Sequence, residues 1–338
     1  MTSKDRLNEI LKAFKIKAEC ISHSEVRNIS LYDLHLEPGV RVKSIQKFSE
    51  EIALMMRSKH KPLFKVFSEN GIVRMEIIQG SSPKISFYDE IGKINFQDTK
   101  IPMYIGPSTE GNDVVFDMAK NPHLLVAGCT GSGKSTLLHT LLANFLNIPN
   151  IKIYISDTKN VEFSHYQSLK NVKIAGDYNS TMALIDCLQI EMEERYDLIK
   201  TLFLSYRNIG QELPPIVFII DEFSDLIMQD TDKRLQRSLC RLVQKCRAAN
   251  IFCVLATQRP SADILTGSIK ANFPARIACK VASGVDAKIV LGTTGAELLA
   301  GNGDAIINNY NHDYKRFQVA YTSPAAILEK YSSKLLSA

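Results

Sequence analysis

The sequence predicts an α/β protein with a mostly parallel sheet covered by helices, preceded by a smaller α+β unit. Three observations predict this. Beyond about residue 107, apolar strand-like runs alternate with amphipathic helical segments, the pattern of parallel sheets with helical crossovers. A glycine-rich loop of phosphate-binding type joins one of those strands to a helix. The first 95 or so residues lack the alternation and read as short helices and strands without a catalytic constellation.

The loop lies in Leu124–Thr136, LLVAGCTGSGKST. An apolar strand breaks at Gly128, and the order G-x-x-x-x-G-K-S is that of a Walker A loop. Glycines allow backbone angles that turn successive N–H groups towards one anion. The expected nucleotide-binding set is Gly128, Cys129, Thr130, Gly131, Ser132, Gly133, Lys134, Ser135 and Thr136. Lys134 reaches the β- and γ-phosphates, and Ser135 offers its hydroxyl to magnesium. The Cys129 N–H is expected to serve the phosphates; its thiol, in an electropositive place, is either reactive or, the favoured reading, an inert small side chain. Leu137, Leu138, Leu141, Leu142 and Phe145 recur at helical spacing, so a helix dipole points at the phosphates. The motif implies ATP and Mg²⁺ as cofactors.

Composition limits the remaining possibilities. The chain has 338 residues, 45% of them apolar and 23% charged, as in ordinary globular proteins of one large or two smaller domains. No apolar run approaches the ~18 residues that span a bilayer, and the charged N-terminus is no signal peptide. A cytoplasmic location is therefore expected. Seven cysteines are scattered without CxxC spacing, against a zinc site or a disulfide framework. The net charge of +5 permits a nucleic-acid partner without establishing one.

In chain order, a first helix carries Leu7, Ile10, Leu11 and Phe14 on one face. One strand is expected over Val26–Leu36, ending at Glu37-Pro38-Gly39. A second helix runs through Ile45, Phe48, Ile52 and Met55. Strands follow around Leu63–Phe67 and Ile72–Ile78. The basic residues here, such as Arg41, Lys43 and Lys47, read as a solvated face. Residues 81–107, rich in Ser, Pro, Gly and charge, read as a junction, which divides the chain into 1–95 and 96–338. The larger part contains a strand at Ile151–Ser156, a long helix at about 181–205, a buried strand at Ile216–Ile220, a helix through Leu235–Cys246 and a buried strand at Ile251–Ala256. Continuous apolar strands of this kind are covered on both faces.

Asp221 and Glu222 close the strand Ile216–Ile220, as a Walker B element requires. Asp221 is assigned to magnesium, and Glu222 to the base that orients and deprotonates the attacking water. Gln258, at the tip of the next strand, is placed to sense the γ-phosphate or that water.

These segments together resemble the motor of the FtsK/SpoIIIE DNA translocases, within the FtsK–HerA class of P-loop ATPases. The resemblance rests on Leu36–Val42, on Asn121–Gly128 leading into the loop, and on Asp157-Thr158-Lys159. It continues through Glu191–Tyr196, Asp221–Leu226, Ala256–Ser261, Ile269–Ala278 and Gly301–Asp304. It implies a RecA-like motor domain after a small α domain, and a homo-hexameric ring around double-stranded DNA. By the same resemblance Arg276 is an arginine finger reaching into a neighbouring subunit; on its own it would read as a strand-edge surface charge. Ser283–Lys288 resembles the family's first pore loop and Asn308–Arg316 the second, with Lys280, Lys288 and Lys315 as DNA-phosphate contacts.

Against the family's pattern the protein is expected to lack a membrane anchor, a long linker and a C-terminal winged-helix domain, and Cys129 stands where the family usually has Thr. The expected function is an ATP-driven duplex-DNA translocase of a phage, plasmid or mobile element, or of a chromosome or DNA-transfer process, with a recombinase or other mobile-element protein as a partner. The alternatives are the ATPase of a conjugation or secretion machine and a nucleotide-switched DNA-binding scaffold.

Overall fold

A computed structural model describes residues 2–67, 70–80, 84–97, 99–204, 213–308 and 314–331. Helix α1 (Ser3–Ala13) opens the chain with a capping box between Thr2 and Asp5, and buries Leu7, Ile10 and Leu11. Four antiparallel strands follow in the order β1-β2-β4-β3: β1 (Ala18–Val26), β2 (Ile29–Leu36), β3 (Leu63–Phe67) and β4 (Ile72–Ile78). Helices α2 (Val42–Gln46) and α3 (Ser49–Met55) lie between β2 and β3. The core of this unit includes Leu7, Leu11, Leu34, Ile45, Ile52 and Met75.

Two expectations here need correction. The strand expected over Val26–Leu36 is the second arm of a hairpin: β1 pairs with β2 from Ala18↔Leu36 to Val26↔Ile29. Only Cys20 of β1 is fully buried, so its polar residues give no alternation to read. The helix expected through Ile45–Met55 is broken at Lys47–Phe48. Phe48 leaves the helical path to stack on Phe14, with ring centroids 4.9 Å apart. Met55 is 39% exposed rather than facing the core.

Helix α4 (Phe87–Ile91) and the hairpin β5 (Pro102–Pro107) and β6 (Asp113–Asp117) lead into the larger sheet. The sequence pattern did not reveal this hairpin. Phe87, Met103 and Phe116 pack in the core of the larger unit. Asn144 fastens β5 to the central helix, accepting from the Tyr104 N–H at 2.9 Å and donating to its carbonyl at 2.8 Å.

The larger sheet has eight strands in the order β14-β13-β12-β7-β11-β10-β8-β9. These are β7 (Leu124–Ala127), β8 (Lys152–Ser156), β9 (Val172–Ala175), β10 (Ile216–Ile220), β11 (Ile251–Thr257), β12 (Ala275–Cys279), β13 (Asp304–Asn308) and β14 (Tyr314–Gln318). Neighbours from β12 to β9 run parallel, and β13 and β14 are antiparallel additions at one edge. Every residue of β7, β10 and β11 is buried, because helices cover both faces. On one face lies α5 (Lys134–Leu146), packed with Leu124, Val126 and Val254. On the other lie α6 (Tyr178–Leu204), α7 (Phe223–Gln229) and α8 (Arg234–Lys245), with α9 (Gly267–Asn272) and α10 (Gly284–Leu291). Helix α11 (Pro324–Lys330) packs Ile327 into the α5 side. The carboxyl ends of the parallel strands therefore open towards one edge, where such folds bind ligands.

Candidate nucleotide-binding site

The strand tips at that edge are tied together. The Gly128 N–H donates to the Thr257 carbonyl at 3.2 Å, and the Asp221 N–H to the Ser156 carbonyl at 3.1 Å. From this base the phosphate loop rises over α5. Its carbonyls at Gly131 and Ser132 accept from the N–H groups of Asn302 and Gly303, at 3.1 and 2.9 Å. Gly133 has φ +100°, and a Cβ there would lie 2.3 Å from the Gly303 nitrogen. Only glycine fits this close passage of two loops. The Cys129 N–H donates to the Lys280 carbonyl at 2.8 Å, so it braces the loop and does not face the phosphates as expected.

The first intrahelical bond of α5 runs from the Leu137 N–H to the Gly133 carbonyl. The N–H groups of Gly133, Lys134, Ser135 and Thr136 are thus left to point out of the helix start. The Ser132 hydroxyl is buried without a partner. Unpaired donors in a cradle closed by glycines fit a phosphate chain.

Lys134 lies across the mouth of the sheet. Its side chain is 3% exposed, and its Nζ donates to the Asp221 carbonyl at 2.7 Å and to Oδ1 at 2.8 Å. Burial pushes the Asp221 carboxyl up, and the nearby Asp157 and Glu162 carboxylates add to the shift while Lys134 opposes it. A cation among these carboxylates would relieve that repulsion, and an all-oxygen donor set suits Mg²⁺. Glu222 is held firmly: its Oε1 accepts from the hydroxyls of Ser224 at 2.7 Å and Thr257 at 2.8 Å. The Gln258 N–H approaches both Glu222 oxygens, at 3.1 and 3.0 Å. The Gln258 side chain turns to the phosphate loop, where Oε1 accepts from the Thr130 hydroxyl at 3.2 Å. Thr130, Lys134, Ser135 and Gln258 thus line one cleft of about 910 Å³, with Asp221 and Glu222 buried behind it, joined to Lys134 and to Gln258.

Several participants escaped the sequence reading. Glu162 Oε1 accepts from the Ser135 hydroxyl at 3.0 Å. Its position, in an irregular loop after β8, follows no local pattern. Lys59 and His60 of the first unit line the cleft, as do Lys84 and Tyr321, and the Lys84 ammonium lies 5.3 Å from the Tyr321 ring centroid. Such contacts between distant segments leave no mark in the sequence. A serine two residues after Glu222 is the one local signal, since a short hydroxyl there can reach back to the carboxylate.

The remaining expected residues lie elsewhere. Arg276 sits near the start of β12, paired in register with Leu125, at the end of the strand away from its own phosphate loop. Its guanidinium donates to the carbonyls of Phe273, Val290 and Lys270 at 3.1, 3.2 and 2.9 Å. Lys280 follows β12, with its carbonyl against the phosphate loop. Lys288 is exposed on α10. The first expected pore loop is helical, with Ser283 capping α10 by accepting from the Asp286 N–H. Of the second, residues 309–313 lie outside the described residues. Lys315 is on β14, and Arg316 is buried between Glu76 and Asp304, which takes it out of reach of DNA.

Among the described residues, one cluster resembles a metal-ligand set: His123, Cys246 and Cys253, all buried, with ligand atoms within 4.8 Å of one another. Both imidazole nitrogens are already engaged. Nδ1 accepts from the Cys253 N–H, so Nε2 carries the proton and donates to the Val243 carbonyl, each at 3.0 Å. That geometry is a packing device for α8 and β11.

No helix among the described residues is long and apolar enough to cross a membrane. Comparison with known proteins agrees with the geometry. The FtsK/SpoIIIE family matches residues 91–209 and 201–262, and the FtsK alpha domain matches residues 1–77. The DNA translocase SftA of Bacillus subtilis is 32% identical over 317 residues, covering 89% of this chain and 33% of that protein. The DNA translocase FtsK of Borreliella burgdorferi is 36% identical, covering 89% of this chain and 40% of its own length. The chain thus spans less than half of either relative. The DNA translocase FtsK of Haemophilus influenzae is 30% identical over 368 residues, covering 97% of this chain and 69% of that protein. Among solved structures, the conjugation coupling protein TcpA of pCW3, in a monomer form with ATPγS, has a TM-score of 0.66 at 22% identity. That match covers 97% of this chain and 99% of TcpA. The small antiparallel unit, the parallel sheet with its phosphate loop and these matches lead to one conclusion: the chain belongs to the FtsK/SpoIIIE family.

Proposed function

We propose that this chain hydrolyses ATP with Mg²⁺ to move along double-stranded DNA, as one subunit of a hexameric ring. The observation that carries the reading is the cleft itself. Lys134 and Asp221 meet at 2.8 Å, and Glu222 and Gln258 stand on adjacent strand tips facing the phosphate loop. Membership in a family whose named relatives are DNA translocases supplies the substrate.

The steps follow from the side chains. The free N–H groups at the start of α5 bind the phosphate chain, and Lys134 shifts from Asp221 to the β- and γ-phosphates. Ser135 and Asp221 are the residues that would hold Mg²⁺, which would draw charge from the phosphate oxygens. Glu222 has Oε1 fixed by Ser224 and Thr257, and Oε2, held by the Gln258 N–H at 3.0 Å, keeps a lone pair to orient and deprotonate water. Gln258 joins that carboxylate to the phosphate loop through Thr130 and so registers whether the γ-phosphate is present. Arg276 cannot serve its own cleft from the far end of β12. It acts in trans, on a neighbouring subunit's nucleotide, where such a residue is worth ~10³–10⁵ in turnover. Lys280, Lys288 and Lys315 contribute charge to the DNA channel, whose phosphate contacts carry little sequence preference.

Displacement of a triplex-forming strand from duplex DNA tests this. ATP-dependent displacement, absent with Lys134→Ala, is expected. Retention of the third strand under turnover conditions would refute movement. A second reading, an ATPase serving DNA conjugation, is favoured by one observation: the match to TcpA spans nearly the whole of both chains. It keeps the same cleft chemistry and differs in the machine that the motor serves.

A further inference from the structure

A serine that ligates a metal must direct its oxygen lone pairs at the ion, so its proton has to go to an acceptor elsewhere. The Ser135 hydroxyl is directed away from Asp221, whose Oδ1 accepts from Lys134 at 2.8 Å. The acceptor is Glu162, whose Oε1 lies 3.0 Å from the Ser135 Oγ. We propose that Glu162 is a positioning residue for magnesium: it holds the Ser135 hydroxyl in its metal-binding orientation and adds negative charge beside the ion.

Independent contacts fix Glu162 for this task. Asp157 Oδ2 accepts from the Phe163 N–H at 2.8 Å, and the Asn160 N–H closes onto the Asp157 carbonyl at 3.0 Å. This ties the loop 157–163 into a return that presents Glu162 to α5, with Phe163 buried as its anchor. Ser135 and His139 are four residues apart and so lie on one face of α5. The His139 Nε2 is 3.6 Å from Glu162 Oε2, while the Tyr166 hydroxyl lies 3.1 Å from His139 Nδ1. With the tyrosine donating, the imidazole proton faces Glu162. Ser135 and His139 thus converge on the two carboxylate oxygens. Asp157 brings a second carboxylate into the same space, its Oδ1 buried without a partner.

The inference rests on the proposed binding of Mg²⁺ and nucleotide at this loop, and one titration separates the two. Affinity for a non-hydrolysable ATP analogue is measured by calorimetry, first in EDTA and then across a Mg²⁺ series, for the native chain, Glu162→Ala and Glu162→Gln. Native protein should gain affinity as Mg²⁺ rises. In Glu162→Ala the Mg²⁺ half-saturation should rise about 10–100-fold, as for other residues that orient metal ligands. Its affinity in EDTA should hold or increase, because a negative charge beside the phosphates is gone. Glu162→Gln keeps an oxygen acceptor without the charge and should fall between. A merely structural role would not weaken magnesium while sparing metal-free binding. An unchanged half-saturation in both variants overturns the assignment to Glu162 and leaves the cleft intact. Loss of affinity in EDTA in both variants also overturns it. No binding by the native chain overturns the cleft reading itself.

Discussion

Arg316 of β14 donates to Glu76 of β4 at 2.9 Å, with 4% and 3% of their side chains exposed. The same guanidinium makes a two-pronged contact with Asp304, at 2.9 and 2.8 Å. Burial opposes its charge, but the Asp304 and Glu76 carboxylates outweigh it and push its pKa up. Asp304 also accepts from the Ala300 N–H at 2.8 Å, which shapes the turn whose Asn302 and Gly303 brace the phosphate loop. A polar chain thus runs from the first sheet to the nucleotide cleft.

Breaking this chain at its centre should cost more than at its end. Arg316→Met leaves two buried carboxylates without a counter-charge and should lose about 3–5 kcal/mol. Glu76→Gln leaves Arg316 paired with Asp304 and should lose about 1–2 kcal/mol. Urea unfolding compares them, and equal losses would argue against a shared network.

Gly133→Ala should abolish nucleotide binding. Its Cβ would lie 2.3 Å from the Gly303 backbone nitrogen at φ +100°, so the two loops must part. Calorimetry with the ATP analogue reads the loss. Near-native affinity would show that the brace is dispensable.

The cleft residues should separate kinetically. Lys134→Ala should lose turnover together with nucleotide affinity. Glu222→Gln should keep binding while the rate falls about 10²–10⁴-fold, the usual contribution of a positioned base. Arg276→Ala should be inactive alone, yet regain partial activity when mixed with Glu222→Gln, because intact interfaces reform. Full turnover by Arg276→Ala would exclude a role in trans.

Acid should erase one stabilising contact in the first sheet. Arg74 donates to Asp33 through Nε and Nη2, at 2.7 and 3.0 Å, and holds its carboxyl below the ordinary 3.8. The depressed pKa makes this contribution complete above the ordinary value and lost as pH falls through the folded one. Asp33→Asn should therefore destabilise by about 1–2 kcal/mol at neutral pH, and the gap to the native chain should close in acid. A gap independent of pH would assign the effect to packing.

Much of this architecture was legible because the decisive signals are local. The strands β7, β10 and β11 are apolar throughout, since helices cover both their faces, and the phosphate loop announces itself by spacing. Strand β1 was not legible, since its polar residues face solvent and only Cys20 is fully buried. Arg316 was read as part of a pore loop because a sequence cannot show that Glu76, 240 residues away, folds against it. Glu162 was missed for the same reason: its meaning lies in a contact with Ser135, 27 residues earlier. Helical spacing did show one face through Ile45 and Ile52, but not the break at Phe48, which aromatic stacking imposes.

The central claim is that the cleft hydrolyses ATP in the service of duplex DNA. Steady-state ATP turnover with and without long linear duplex, across a salt series, tests it most directly. Strong stimulation by duplex is predicted, weaker with single strands and fading as salt displaces the phosphate contacts. Turnover indifferent to duplex at every salt concentration would contradict it.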